Sequence, residues 1–204
     1  MCARRSIDGF FVDSAVCQWY RRTGGAEKPG DVCHARTVAQ IVENNGSSFN
    51  NGDFVFCTNG WQEYALVGDG VPPFAGYMNP RTINPALAPI STNIGVMGML
   101  GLTAYGGMYM QIQPKAGDTI VVSAASGGVG QVAGQIALVA GAKVIGIAGP
   151  QDKCDFVRDE LKFTSCVSYR SPTFAADLKE ACGGGIDGYF EVHALRSYLP
   201  GTHA

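Results

Sequence analysis

The sequence has 204 residues and a formal net charge of -2, which leaves no dense positive charge for nucleic acid or an anionic membrane to recognise. Its balance of 46% hydrophobic and 16% charged residues belongs to a compact globular protein and excludes a disordered one. Seven cysteines (Cys2, Cys17, Cys33, Cys57, Cys154, Cys166 and Cys182) form no CxxC pair, so they read as reduced small hydrophobes rather than as a disulfide scaffold.

Along the chain, Met1 to Ser14 shows no apolar core of a secretory signal, and the cytoplasm is the expected compartment. Met1 to Gly30 has no sustained period, only turn signals at Gly24-Gly25 and Pro29-Gly30, and receives no fold assignment. From Thr37, the alternation Val38, Gln40, Val42 and the run Asp53 to Cys57 predict short strands around the turn-prone Asn44 to Gly52. Trp61 to Val67 continues as a strand, and Val71 to Pro89, with Pro72, Pro73, Pro80, Pro85 and Pro89, reads as a linker or surface loop. Ile94 to Met110 is apolar but broken by Gly95, Gly98, Gly101, Gly106 and Gly107; too short and glycine-rich for a membrane span, it predicts a buried, closely packed helix.

The pattern changes at Lys115 to Asp118, a turn before the β-branched run Thr119 to Val122, which predicts a buried parallel strand. Ser126 to Gly130 is a glycine-rich loop, and Val132, Ile136 and Val139 at helical spacing lead to Gly141 as a helix end. Lys143 to Ile147 predicts a second strand, Gln151 to Leu161 a helix, Cys166 to Ser168 a strand, Phe174 to Cys182 a helix and Ile186 to Glu191 a fourth strand. Strands and helices alternating at this pitch call for an α/β fold, a doubly wound parallel sheet with right-handed crossovers.

Within it, Ala125-Ser126-Gly127-Gly128-Val129-Gly130 matches GxGxxG with alanine in the first glycine's place. The motif follows a strand and opens a helix within a βαβ unit of about thirty residues, the context a dinucleotide fingerprint requires. Gly127 would let backbone approach a pyrophosphate, Gly130 and Gly134 would let the helix pack on the sheet, and the helix N-terminus would supply N–H groups to the anion. The second strand ends in Ala148-Gly149, with no side chain to exclude a 2′-phosphate, and Lys153 follows one turn later as its cation. That favours NADP(H). Asp152 argues for NAD, because it lies about twenty residues past the loop, where a ribose-binding acid is sought.

The segment Gly101-Leu102-Thr103-Ala104-Tyr105-Gly106, the stretch Val121 to Gly134, Gly149 to Lys153 and Tyr169 resemble medium-chain dehydrogenase/reductases of the zinc-independent leukotriene B4 12-hydroxydehydrogenase, prostaglandin reductase and alkenal double-bond reductase group. Gly52-Asp53, Gly60 to Tyr64 and Tyr189-Phe190-Glu191 extend the likeness over about Val38 to Glu191. The resemblance implies an incomplete Rossmann-type domain over residues 91–191, a partial GroES-like β domain and linker over 37–90, and unassigned segments at 1–36 and 192–204. It implies NADPH-dependent reduction of the carbon–carbon double bond of α,β-unsaturated aldehydes and ketones. Gly127, Gly128, Val129 and Gly130 would hold the pyrophosphate, and Gly149, Lys153 and Tyr169 would surround the 2′-phosphate. Thr103 and Tyr105 face either the reaction site or plain helix packing, and no catalytic residue is assigned.

Two departures from the pattern stand out. No tyrosine-methionine-arginine segment occurs in Met1 to Val32, and Val192-His193-Ala194-Leu195 replaces the asparagine-valine-glycine-glycine expected after Glu191. The expectation is a truncated or aberrantly spliced product, or a mispredicted gene. Its sheet would keep an open edge. His34, His193 and His203 are isolated, so no metal is expected. The expected partner is a small-molecule enone or alkenal, with no nucleic acid and no membrane, and a homodimer is an admissible assembly. The alternatives are a catalytically silent nucleotide-binding or interaction protein and a quinone reductase.

Overall fold

Alternating apolar residues and turn chemistry build the first of two units, Met1–Gly98; the second is Met99–Ala204. The computed structural model describes residues 2–5 (backbone only), 32, 35–58, 60–67 and 79–192. The Gly24-Gly25 and Pro29-Gly30 turns, Cys17, Cys33, the three histidines and the tail beyond Val192 lie outside the described residues.

In the first unit, β1 (Cys2–Arg5), β2 (Thr37–Glu43), β3 (Phe54–Cys57), β4 (Tyr64–Leu66) and β5 (Arg81–Ile83) form an antiparallel sheet in the order β4-β1-β2-β3-β5. The β2–β3 connection turns where the amide of Ser47 donates to the Asn44 side chain at 2.9 Å and that of Asn50 to the Asp53 carboxylate at 2.8 Å. Ala39, Ile41, Val55, Cys57 and Val67 pack on one face, and Val38, Phe56 and Ile83 on the other. The larger buried set thus belongs to Ala39 and Ile41, while Val42 is exposed, opposite to what the spacing of Val38, Gln40 and Val42 suggests.

Three further expectations change here. The segment left without a fold contributes β1, paired between β2 and β4. The proline-rich stretch contains β5, which tolerates Pro80 beside it because an edge strand leaves one row of amides unpaired. The strand expected over Trp61 to Val67 is confined to β4.

In the second unit, parallel strands β6 (Thr119–Val122), β7 (Lys143–Ala148), β8 (Ser165–Ser168) and β9 (Gly188–Phe190) lie in the order β8-β7-β6-β9. Helices α1 (Met99–Tyr105), α2 (Gly128–Val139), α3 (Gln151–Asp159) and α4 (Phe174–Cys182) connect or precede them. Period-2 alternation divides each strand between the faces. Ile120, Val122 and Val144 pack with Ala104, Ala133, Ala137 and Val157 of α1, α2 and α3, while Val121, Ile145, Ile147 and Val167 pack with Phe174 and Leu178 of α4. A doubly wound parallel sheet results, with helices on both faces.

The apolar run Ile94 to Met110 is not one buried helix. A 3₁₀ turn closes at Ile94, α1 spans Met99–Tyr105, and Gly106–Ile112 is wound as a π-helix that ends where the Gln113 amide reaches the Met108 carbonyl at 2.7 Å. Only the stripe Gly101, Ala104 and Met108 is buried in these two helices; Leu102, Tyr105, Tyr109 and Met110 are exposed. Small residues on that stripe allow close packing on one side alone, which hydropathy cannot distinguish from burial all round.

Candidate dinucleotide site

The strand order runs outward from β6 through β7 to β8 and then returns to the far side of β6 with β9, so a topological switch point lies between β6 and β9. Ligands of open α/β sheets bind outside the carboxyl ends of the strands at such a point. Here it is closed by polar bonds: the Ser123 amide donates to the Phe190 carbonyl at 2.9 Å, and the Val192 amide to the Ser123 hydroxyl at 2.9 Å. Burial and the Glu191 carboxylate push the Tyr189 phenol above its ordinary pKa.

The glycine-rich loop leaves β6 at this point. Its path is fixed by the Ala125 amide on the Ile147 carbonyl, 3.0 Å, and the Gly127 amide on Ala124, 2.8 Å, with Ala124 at φ 46°. Gly127 is the extended N-cap of α2 and no side chain caps the helix. The first bond of the helix runs from the Gln131 amide to Gly127 at 2.9 Å, so the amides of Gly128, Val129 and Gly130 precede it. Those N–H groups and the helix dipole give a site for an anion. Close packing demands glycine at Gly130, where a Cβ would lie 2.4 Å from the Ala124 carbonyl oxygen.

At the end of β7, Gly149 is buried, and a Cβ there would stand 2.7 Å from the phenol oxygen of Tyr169. Tyr169 begins the turn after β8, its amide on the Ala148 carbonyl at 3.0 Å. Lys153 is exposed on the first turn of α3. Asp152 is also exposed there, on the helix rather than at the strand tip, which Gly149 occupies. The site residues expected from sequence therefore fall into two groups at the carboxyl ends of the strands: Gly127 to Gly130 after β6, and Gly149, Lys153 and Tyr169 after β7 and β8.

Thr103 donates to the Met99 carbonyl of its own helix at 2.8 Å, and Tyr105 stacks on Tyr109 with ring centroids 4.8 Å apart. Neither packs into the core. Ser168 and Arg170 belong to no sequence motif but join the same strand ends: the Ser168 hydroxyl donates to the Gly149 carbonyl and accepts the Arg170 amide at 3.2 Å. The only local signal was a hydroxyl residue ending a strand before Tyr-Arg.

An uncapped helix N-terminus at the switch point, with a glycine tip on the next strand, defines a Rossmann-type dinucleotide domain. A family model described as zinc-binding dehydrogenase matches residues 128–200. The chain is 39% identical over 163 residues to the NADPH-dependent curcumin reductase of Escherichia coli (strain K12), covering 79% of this chain and 45% of that one. It is 34% identical over 188 residues to the NADP(+)-dependent 2-alkenal reductase of Nicotiana tabacum, covering 92% and 49%. Among solved structures, CurA from Vibrio vulnificus in complex with NADPH aligns with TM-score 0.71 and 33% identity over 94% of this chain and 55% of that one. The chain belongs to the medium-chain dehydrogenase/reductase family, in its zinc-independent group. It spans about half the length of the curated relatives it matches. No helix among the described residues is long and apolar enough to cross a membrane.

Proposed function

We propose that this chain is the cofactor-binding part of an NADPH-dependent reductase that saturates the carbon–carbon double bond of α,β-unsaturated aldehydes and ketones. The observation that carries the reading is the tip of β7: Gly149 puts no acid where an NAD enzyme places one, the Tyr169 phenol lies against it, and Lys153 stands one helical turn on as a cation for a 2′-phosphate. The relatives named for NADPH-dependent curcumin and NADP(+)-dependent alkenal reduction support the substrate class.

In this reading residues 91–191 are the cofactor domain, and 37–90 a partial GroES-like domain. The amides of Gly128, Val129 and Gly130 hold the pyrophosphate, and Gly127 gives it access to the helix end. Gly149, Lys153 and Tyr169 surround the adenosine 2′-phosphate. NADPH, when bound, supplies a hydride for the substrate's β carbon. The chain's own part is to orient that cofactor, since no residue of it is assigned to stabilise the enolate or to protonate the α carbon. The reading places the protein in the cytoplasm and admits a homodimer.

A thermal melt with saturating NADPH and, separately, NADH tests it. At about a hundred times the dissociation constant, binding adds roughly 2.7 kcal/mol and raises the midpoint by roughly 5 to 10 °C. A shift with NADPH alone supports the cofactor assignment, and equal shifts or none defeat it. Faster loss of NADPH absorbance on adding an alkenal supports the reductase, whereas binding without turnover favours a silent nucleotide-binding protein.

A further inference from the structure

Beyond the residues already assigned, the carboxyl end of the β7–β8 pair carries a second cation. The Ser171 amide donates to the Ser168 carbonyl at 3.0 Å, which closes a turn with Tyr169 and Arg170 at its two central positions. This turn is held on both sides. Before it, the Ser168 hydroxyl donates to the Gly149 carbonyl and accepts the Arg170 amide at 3.2 Å, joining the tip of β7 to the turn after β8. After it, the Ser171 and Thr173 hydroxyls each donate to the Asp177 carboxylate at 2.9 Å.

Three other cations of this unit have other commitments. Arg158 is paired with Asp155 at 3.0 Å and Asp159 at 2.8 Å. Lys143 donates to the Ala181 carbonyl at 2.8 Å, beside the C-terminus of α4, and Lys162 to the Asp159 carbonyl at the end of α3. Arg170 is exposed, and its guanidinium makes no ion pair with a described residue. It stands next to the tyrosine that covers Gly149. A planar guanidinium on a fixed turn suits a phosphate, which it can hold through two parallel N–H bonds.

We propose that Arg170 is a second cationic ligand of the adenosine 2′-phosphate, beside Lys153, and that Ser168 is the positioning residue that sets its turn against Gly149. The inference rests on the NADP(H) reading and deepens it. Lys153 approaches the phosphate from α3 and Arg170 from the turn after β8, so the group lies between two cations carried by different elements. Selectivity over an unphosphorylated adenosine then depends on both.

The test is calorimetric titration of the 204-residue chain with adenosine 2′,5′-bisphosphate and, separately, with 5′-AMP. These probes carry only the adenosine half of the cofactor and differ by the 2′-phosphate. Arg170→Gln is expected to weaken the bisphosphate by about tenfold or more, the loss of one charge-assisted hydrogen-bonding partner, while 5′-AMP changes by less than about twofold. Arg170→Lys should recover part of the loss. Ser168→Ala should act in the same direction with a smaller factor, and Ser168→Thr, which keeps the hydroxyl, should restore it. Circular dichroism of each variant verifies the fold, which an exposed Arg170 leaves intact.

If the native chain prefers the bisphosphate and Arg170→Gln keeps that preference, the inference is wrong and the NADP(H) reading stands. If the native chain shows no preference or binds neither probe, the NADP(H) reading fails and takes the inference with it. If Ser168→Ala weakens both probes equally, Ser168 supports the general fold and its positioning role is refuted.

Discussion

Replacing Gly130 by alanine tests whether the phosphate loop is held by backbone packing. Alanine improves intrinsic helix propensity by roughly 1 kcal/mol over glycine. Against that, the new Cβ would stand 2.4 Å from the Ala124 carbonyl oxygen, 2.9 Å from Ala125 Cα and 3.0 Å from the Ala124 carbonyl carbon. All three are backbone atoms, so no side-chain rotation relieves the overlap. The loop cannot retreat freely either, because the Ala125 amide is bonded to Ile147 at 3.0 Å and the Gly127 amide to Ala124 at 2.8 Å. Overpacking costs roughly 1 to 3 kcal/mol and a lost buried hydrogen bond roughly 1 to 3 more, so after the propensity gain the net destabilisation is roughly 1 to 5 kcal/mol. At this chain length each kcal/mol lowers the melting midpoint by roughly 2 to 4 °C, measured by circular dichroism. Gly106→Ala is the control. No atom lies within 4 Å of its added methyl group, and restricting the unfolded chain should stabilise by roughly 0.4 to 1 kcal/mol. The same substitution in two helical positions thus has opposite signs, and a Gly130→Ala midpoint at or above the native value would refute the reasoning.

Gly149→Asp places a carboxylate where the 2′-phosphate is proposed to bind and displaces the Tyr169 phenol, 2.7 Å from the new Cβ; fluorescence titration should show NADPH binding weakened by at least about tenfold and NADH far less affected. Ser123→Ala removes the acceptor of the Val192 amide and should cost about 1 kcal/mol, read as a midpoint lower by roughly 2 to 4 °C. Burial and the neighbouring Cys154 hold the Cys166 thiol well above its ordinary pKa of about 9, so the folded state keeps a proton that the unfolded chain loses. Stability from this group is full below about pH 9 and declines as pH rises beyond it, by at most about 1.4 kcal/mol per pH unit and less for a partly exposed thiol. Melts between pH 8 and 10.5 should therefore show a shallower alkaline decline for Cys166→Ala than for the native chain, and equal slopes would contradict the assignment.

The parallel sheet was legible because its strands are short β-branched runs separated by helices with clear ends, as at Gly141, whose φ of 83° terminates α2. Local pattern and tertiary burial agree there. The remaining differences have specific causes. β1 carries no local signal, because it becomes a strand only by pairing with β2 on one side and β4 on the other. β5 was hidden by the prolines around it, which an edge position accommodates. In the stretch around α1 the glycines that suggested close packing do mediate it, since a Cβ at Gly107 would lie 2.3 Å from the Phe190 ring. They do so on one side, while Leu102, Tyr105 and Tyr109 face outward. In the site, the loop and strand tip could be read from glycine spacing, whereas the Ser168 bridge is a contact between two strand ends that no single-segment pattern encodes.

That difference reflects how the two halves of the proposed cofactor would be recognised. The pyrophosphate end would be read by backbone: amides at a helix start, reached only if glycine stands where a methyl group would collide. Such a requirement leaves a motif in the sequence, because few residue types satisfy it. The adenosine end would be read by side chains on two segments, α3 after β7 and the turn after β8, and their approach depends on the parallel register that places Ala148 opposite Ser168. Many residue combinations can build that arrangement, so composition alone does not announce it. The same division decides where perturbations appear. Substitutions in the loop after β6 disturb packed backbone and should register in stability as well as binding, whereas those at Gly149, Lys153 and Arg170 should register chiefly in the choice between phosphorylated and unphosphorylated adenosine.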